Sequence, residues 1–308
     1  MNRRDFMLLA AGSVAQFASA GSRVPTVQCA GEKGERPLVR FGVVTDPHFG
    51  DLESTMPPGE VRAFRESDAK MREFVEVMNS RGVDFVVELG DFVEQHPTRA
   101  ATVKALDRIE KVFREFNGPT YHVIGNHDLA VLERSEFLSR VTNTGIEPGR
   151  SYYSFVAGSI TFVVLDHGYY SDGAAMRPGN VDWQKGHLSP EEFKWLEKTI
   201  QNSPGKVVVF SHWRIDSETG VYPGLQAKDS EKVRQLLRSS AKVVACFSGH
   251  DHKGAFAYTG ESGYYVLRAM CTGSGKDSSS YAEVSVYASG RVKIVGFKKA
   301  RSIAWDGR

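Results

Sequence analysis

The sequence predicts an α/β fold: two packed mixed β-sheets flanked by helices within a single domain. Two patterns carry this expectation. Strand-length apolar runs alternate with helical periodicities from Leu38 to Phe247, and β-rich runs then follow without helices as far as Phe297. The alternating part calls for crossovers and parallel strands, the later part for hairpins and antiparallel ones. With 41% hydrophobic residues in 308, the chain can bury a substantial core.

Taken in order, Leu38 to Thr45 is a buried strand, and residues 60–80 carry helical spacing through Val61, Phe64, Met71, Phe74, Val75 and Met78. Arg81-Gly82 stops that helix. Strand Val83 to Leu89 follows, then a helix over about 98–116, which Asn117-Gly118-Pro119 breaks before strand Thr120 to Ile124. Tyr152 to Phe155 and Ile160 to Leu165 pair through Ala157-Gly158-Ser159 as a hairpin. Residues 167–187 have neither period and read as a binding loop. Ser189-Pro190-Glu191-Glu192 opens a helix to about Asn202 with a cap, a proline at the first turn and two acids. Strand Lys206 to Phe210, loop 213–228, helix 229–239 and strand Lys242 to Phe247 come next. Ala255 to Tyr258, Gly263 to Arg268, Ala282 to Tyr287 and Val292 to Phe297 complete the chain as hairpins.

Five of the apolar runs end in polar residues able to bind metal. They deliver Asp46 and His48, Asp91, Asn126, His212, and His250 and His252. Reactive groups collect at strand ends in such sheets, and seven nitrogen and oxygen ligands exceed what one cation needs and suit two. Asp46 and His48, like His250 and His252, sit two apart, so on an extended chain each pair points the same way. Asp91 can bridge, because each carboxylate oxygen can take a different metal. Mixed ligation of this kind suits Mn, Fe or Zn better than Ca or Mg. Any one of these residues has an ordinary explanation; five such strand ends in one chain do not.

The remaining histidines lie elsewhere: His122 reads as core, and His96, His167 and His187 as loop surface, with His96 or His167 the ones that could approach a substrate. Asp166 ends a strand and suits structural hydrogen bonding. Trp183, Arg177, Trp213, Arg214 and Tyr222 sit on the two long loops, where stacking and phosphate pairing compete evenly with plain packing.

Lysine and arginine number 39 against 37 acids, without a long basic run, so nucleic acid is not indicated as a partner. Cys29, Cys246 and Cys271 show no CxxC spacing. Arg3-Arg4-Asp5-Phe6-Met7, the apolar stretch Met7 to Phe17 and Ala18-Ser19-Ala20 make residues 1–20 similar to a twin-arginine signal peptide. Cleavage near Gly21 would leave a linker over 21–36 and one domain over 37–302, exported to the periplasm or beyond, with no stable membrane association.

The ordered set Asp46-x-His48, Gly90-Asp91, Gly125-Asn126-His127-Asp128, His212 and Gly249-His250-x-His252 resembles the calcineurin-like metallophosphoesterase superfamily. That resemblance implies a metallophosphoesterase-like β-sandwich in which Asp46, His48, Asp91 and His252 hold one metal, and Asp91, Asn126, His212 and His250 the other. It further implies that His127 stabilises the transition state or protonates the leaving oxygen, oriented by Asp128. The implied activity is binuclear hydrolysis of a phosphodiester or phosphoanhydride in a small phosphorylated substrate, by attack of a metal-bridging hydroxide. Glu94 stands where purple acid phosphatases carry a metal-binding tyrosine, and His48 is present, which disfavours that branch. Phe41 to Asp46, Arg62 and Arg65, Leu188 to Leu196 and Gly249 to Gly254 are more similar to the manganese-dependent ADP-ribose/CDP-alcohol diphosphatases. The alternatives left open are a broad phosphomonoesterase, a cyclic-nucleotide phosphodiesterase and, more remotely, a metal-binding module without turnover.

Overall fold

The computed structural model describes residues 34–54, 61–216, 224–260 and 262–307. The signal segment, Cys29, most of the linker and Tyr222 lie outside the described residues.

Strands β1 (Val39–Val44), β2 (Phe85–Glu88) and β3 (Thr120–His122) are parallel neighbours, separated by helices α1 (Ser67–Arg81) and α2 (Arg99–Phe113). After the short helices α3 (Asn126–Val131) and α4 (Arg134–Arg140), the hairpin β4 (Tyr153–Ala157) and β5 (Ile160–Val164) opens a second sheet. Helix α5 (Pro190–Asn202), β6 (Val207–Ser211), α6 (Ser230–Arg238) and β7 (Val243–Ser248) extend it in parallel. The tail supplies β8 (Ala255–Tyr258), β9 (Gly263–Val266), β10 (Ser280–Val286), β11 (Val292–Lys298) and β12 (Ile303–Trp305). The sheet orders are β12-β11-β10-β1-β2-β3 and β4-β5-β6-β7-β9-β8. Both sheets are mixed, as expected: β10 runs antiparallel to β1, and β9 runs parallel to β7 while its hairpin partner β8 is antiparallel.

The core follows from strand periodicity. In β1, Val39, Phe41 and Val43 face the other sheet, while Val44 faces the helices. The inner layer is aromatic, with the Phe41 ring edge-on to Phe162, Phe210 and Phe247 at 5.5–5.6 Å. Outside, Met71, Phe74 and Met78 of α1 and Leu106, Ile109 and Phe113 of α2 cover the first sheet. Leu196 and Ile200 of α5 and Val233 and Leu237 of α6 belong to the same outer cluster as Val207, Val209 and Val243 of the second sheet. Strands buried on both faces have no polar side to show, hence the unbroken apolar runs.

Three expectations shift. The first helix begins at Ser67 rather than near residue 60, after a short turn at Phe64–Glu66. The domain extends past residue 302, because β12 closes one sheet edge and buries Trp305 completely. Helices α3 and α4 were not anticipated; α4 buries only Phe137 and Leu138, too short a pattern for helical periodicity to register.

His122 is core, as expected, and is an ion-pairing core residue. Its Nε2 lies 3.0 Å from Glu110 and its Nδ1 3.4 Å from Glu88, beneath the rings of Phe92 and Phe113. Burial opposes its charge, but Glu110 and Glu88 outweigh burial and hold it at about 9, above its usual 6.5. A group raised in the folded state stabilises the fold below pH 6.5 and loses that stabilisation as pH climbs through 9. Glu88, pushed from 4.5 to about 8 mainly by burial, acts in the same direction over its own window. In saturating divalent metal, the melting temperature should therefore fall between pH 6.5 and 9, by the equivalent of about 3 kcal/mol from His122. His122→Gln should flatten that fall, and an unchanged slope in the variant would remove His122 as its source.

Candidate metal centre

The loops that leave β1, β2, β3, β6 and β7 meet over the C-terminal edges of both sheets. Asp46 N–H donates to the Gly90 carbonyl at 3.1 Å and His48 N–H to that of Asp91 at 2.9 Å, so the first two loops are stitched together. Helix α3 starts at Asn126, immediately after the extended Gly125. A side chain at residue 125 would fall on the Asp91 backbone nitrogen and carboxylate, and one at residue 249 on the Thr45 hydroxyl. Both loops therefore require glycine to close on the site.

All seven expected ligands converge, and they do so in two sets. Asp46 Oδ1 lies 3.2 Å from His252 Nε2 and 3.6 Å from His48 Nε2; the two ring nitrogens are 3.1 Å apart, and Asp91 Oδ2 is 3.4 Å from His48 Nε2. His212 Nε2 lies 3.3 Å from Asp91 Oδ2, 3.2 Å from Asn126 Oδ1 and 3.1 Å from His250 Nδ1. Atoms bound about 2.1 Å from one cation stand roughly 3.0–3.5 Å from each other, which is the spacing found in each set. Asp91 joins the sets, though not as expected with one oxygen for each. Its Oδ1 accepts the His127 backbone N–H at 2.7 Å, so Oδ2 alone faces both groups of nitrogens.

The donor chemistry fits cations. His48 Nδ1 is committed to Glu94 at 2.9 Å and His212 Nδ1 to the Leu89 carbonyl at 2.8 Å, which leaves both Nε2 lone pairs turned inward. Asp46 Oδ1 is buried and accepts no hydrogen bond. Without cations, burial pulls His48 and His212 down, but the carboxylates around them hold them at about 9 and about 10. Despite burial, Asp46 is held well below the usual carboxylate range by His252, His48 and His212. The cluster thus demands positive charge. Among the six non-glycine residues with positive φ in the described chain, four are Asp46, His48, Asp91 and His250. Backbone strain of this kind costs about 1–3 kcal/mol per residue and persists where a site holds it.

His127 lies beside the sets, its ring 4.5 Å from that of His48 and edge-on to it. The structure corrects what orients it. Asp128 is fully buried and accepts from the backbone N–H groups of Gly125, Asp91, Phe92 and Val93 at 2.9–3.2 Å. The carboxylate that meets His127 Nδ1 is Glu94, at 2.9 Å. The reason is helical: side chains of consecutive residues fan out by about 100°, so Asn126, His127 and Asp128 serve three different directions. Glu94 spends one oxygen on His48 and the other on His127. Its position three residues after Asp91 was the available signal, and the residue types alone did not reveal the use.

Two histidines expected at the surface are buried. His96 contacts the Glu94 carbonyl at 3.0 Å, and His167 contacts Ser211 at 3.0 Å. Asp166 is structural, as expected, pairing with Arg134 at 2.7 Å. Arg214 and Trp213 are also removed from substrate by complete burial. Arg214 grips Asp216 at 2.5 Å and Asp251 at 2.7 Å, which braces the turn carrying His250 and His252. Arg177 is exposed, and so is Trp183, which stands 5.9 Å from the His250 ring.

Residues 39–254 match the family model of calcineurin-like phosphoesterases. A manganese-dependent ADP-ribose/CDP-alcohol diphosphatase from Arabidopsis thaliana is 25% identical, with 90% of this chain and 99% of that protein aligned. The human protein of the same description is 23% identical over 90% of this chain and 98% of its own length. Among solved structures, a dimetal phosphatase from Danio rerio shares the fold with a TM-score of 0.78 at 22% identity, covering 89% of this chain and all of the other.

Proposed function

The chain belongs to the calcineurin-like phosphoesterase family, a family of metal-dependent hydrolases, and on that premise we propose that it holds two metal ions and cleaves the phosphoanhydride of small nucleoside-diphosphate substrates. The observation that carries the two-metal reading is the single oxygen, Asp91 Oδ2, facing both His48 Nε2 at 3.4 Å and His212 Nε2 at 3.3 Å. Asp46, His48, Asp91 and His252 would hold one ion, and Asp91, Asn126, His212 and His250 the other. The substrate class is supported by similarity along nearly the whole chain to proteins named for ADP-ribose and CDP-alcohols, and manganese by the same names.

Bound cations would acidify water toward neutrality and hold phosphoryl oxygens. The chain's own part is orientation and proton transfer. Glu94 and Leu89 fix the tautomers of His48 and His212 so that Nε2 points inward. Asp128 ties the loop after Asp91 to the start of α3, which keeps Asp91 and Asn126 in register. His127, steered by Glu94 through Nδ1, keeps Nε2 for the departing oxygen, to which a protonated ring gives its proton.

Chelation should abolish hydrolysis, and Mn, Fe, Zn and Co added back singly should restore it to different extents. With the best metal, ADP-ribose and CDP-alcohols should surpass cyclic nucleotides and p-nitrophenyl phosphate in kcat/KM. A marked preference for the monoester would sink the diphosphatase reading. Failure on every member of the panel, bis(p-nitrophenyl) phosphate included, would mark a metal-binding module without turnover.

A further inference from the structure

We propose that Trp183 is the stacking face for the nucleobase of the substrate, set at the edge of the second ligand set beside His250. This deepens, and rests on, the nucleoside-diphosphate reading above. Trp183 is the only exposed tryptophan among the described residues, with 44% of its surface open. Its ring centroid is 5.9 Å from that of His250, tilted by 59°, so an aromatic group lying on it would be adjacent to phosphate held at the metal centre.

The loop beneath it is prepared for this role. The Trp183 carbonyl accepts the indole N–H of Trp213 at 2.7 Å, and Trp213 is itself completely buried against His212 and His250. A side chain at residue 186 would collide with the Trp213 ring, so Gly186 lets the loop lie flat on that indole. Gly186 also accepts from Lys228 N–H at 2.8 Å, and the turn is closed by Lys185 N–H to the Asp182 carbonyl at 3.0 Å. The backbone under Trp183 is therefore ordered before any ligand arrives, and the entropy of presenting the ring was spent in folding. The His252 side of the cluster holds an arginine nearby. Arg62 precedes Ala63, whose N–H donates to the Cys271 carbonyl at 2.8 Å, and Cys271 Sγ lies 4.0 Å from His252 Nδ1. A substrate would lie with its base toward His250 and its second anionic or hydroxylated half toward His252.

AMP and ribose 5-phosphate differ only in the base, so their affinities for the full chain in saturating Mn2+, read by calorimetry, isolate this contact. AMP should bind roughly tenfold more tightly, the usual scale of base stacking on an aromatic side chain. Trp183→Ala should erase that ratio, Trp183→Phe should keep most of it, and inorganic phosphate should bind all three proteins alike. Equal affinities for the two ligands in the parent protein would overturn the proposal, as would a ratio that survives Trp183→Ala or a loss of phosphate binding in step with AMP. Because nothing need be hydrolysed, a base preference without ADP-ribose turnover would defeat the proposed activity alone. ADP-ribose turnover without a base preference would defeat the stacking face alone.

Discussion

If the site holds two ions as proposed, Asp91→Asn should lower turnover by at least about three orders of magnitude and reduce bound metal toward one ion per chain or none. The two oxygens of Asp91 have separate duties: Oδ1 accepts from the His127 backbone, and Oδ2 faces both ligand sets. An asparagine can satisfy one duty only. With its oxygen on the His127 N–H it turns an amide NH2 toward the cations, and with its oxygen inward it opposes one N–H with another. Asparagine is also among the few residues that adopt positive φ readily, so the strained backbone at φ 55° is retained and the fold is not the confounding loss. Metal content by elemental analysis, set beside circular dichroism, decides the matter. Two ions per chain with near-parental kcat would refute the shared-oxygen reading of the site.

The convergence of the candidate ligands is legible in the sequence because strand ends announce themselves: an apolar run stops at Asp46, Asp91 or His212, and topology gathers such ends at one edge. Glu94 was not legible, since it follows Asp91 in a loop and nothing in residue type shows that its two oxygens reach His48 and His127. The role that the resemblance implies for Asp128 fails on local geometry. The helix start sends this aspartate inward to four backbone N–H groups. The burial of His167 depends on the second sheet and on Ser211, a contact 44 residues away in sequence. The placement of β10 against β1 is likewise a long-range pairing, Val39 opposite Val286, which alternation along either strand does not encode. Local pattern thus locates the strand ends, and the non-local arrangement decides which residues serve the ends and which serve the frame.

His127→Ala tests that division most directly. It should lower kcat by about 10²–10⁴, the range for losing a general acid, while metal content stays at the parental value. The ring's Nδ1 is committed to Glu94 at 2.9 Å, and the backbone N–H that holds Asp91 survives the substitution. The loss should be largest for substrates whose departing oxygen needs a proton, and much smaller for bis(p-nitrophenyl) phosphate, whose leaving anion is stable without one. Glu94→Gln should give a partial copy of this pattern: an amide can accept from one imidazole but must present N–H to the other, so either His127 or His48 loses its orientation. If His127→Ala instead strips the metals, or slows good and poor leaving groups by the same factor, His127 is a ligand or a packing residue. The proton then has to come from water.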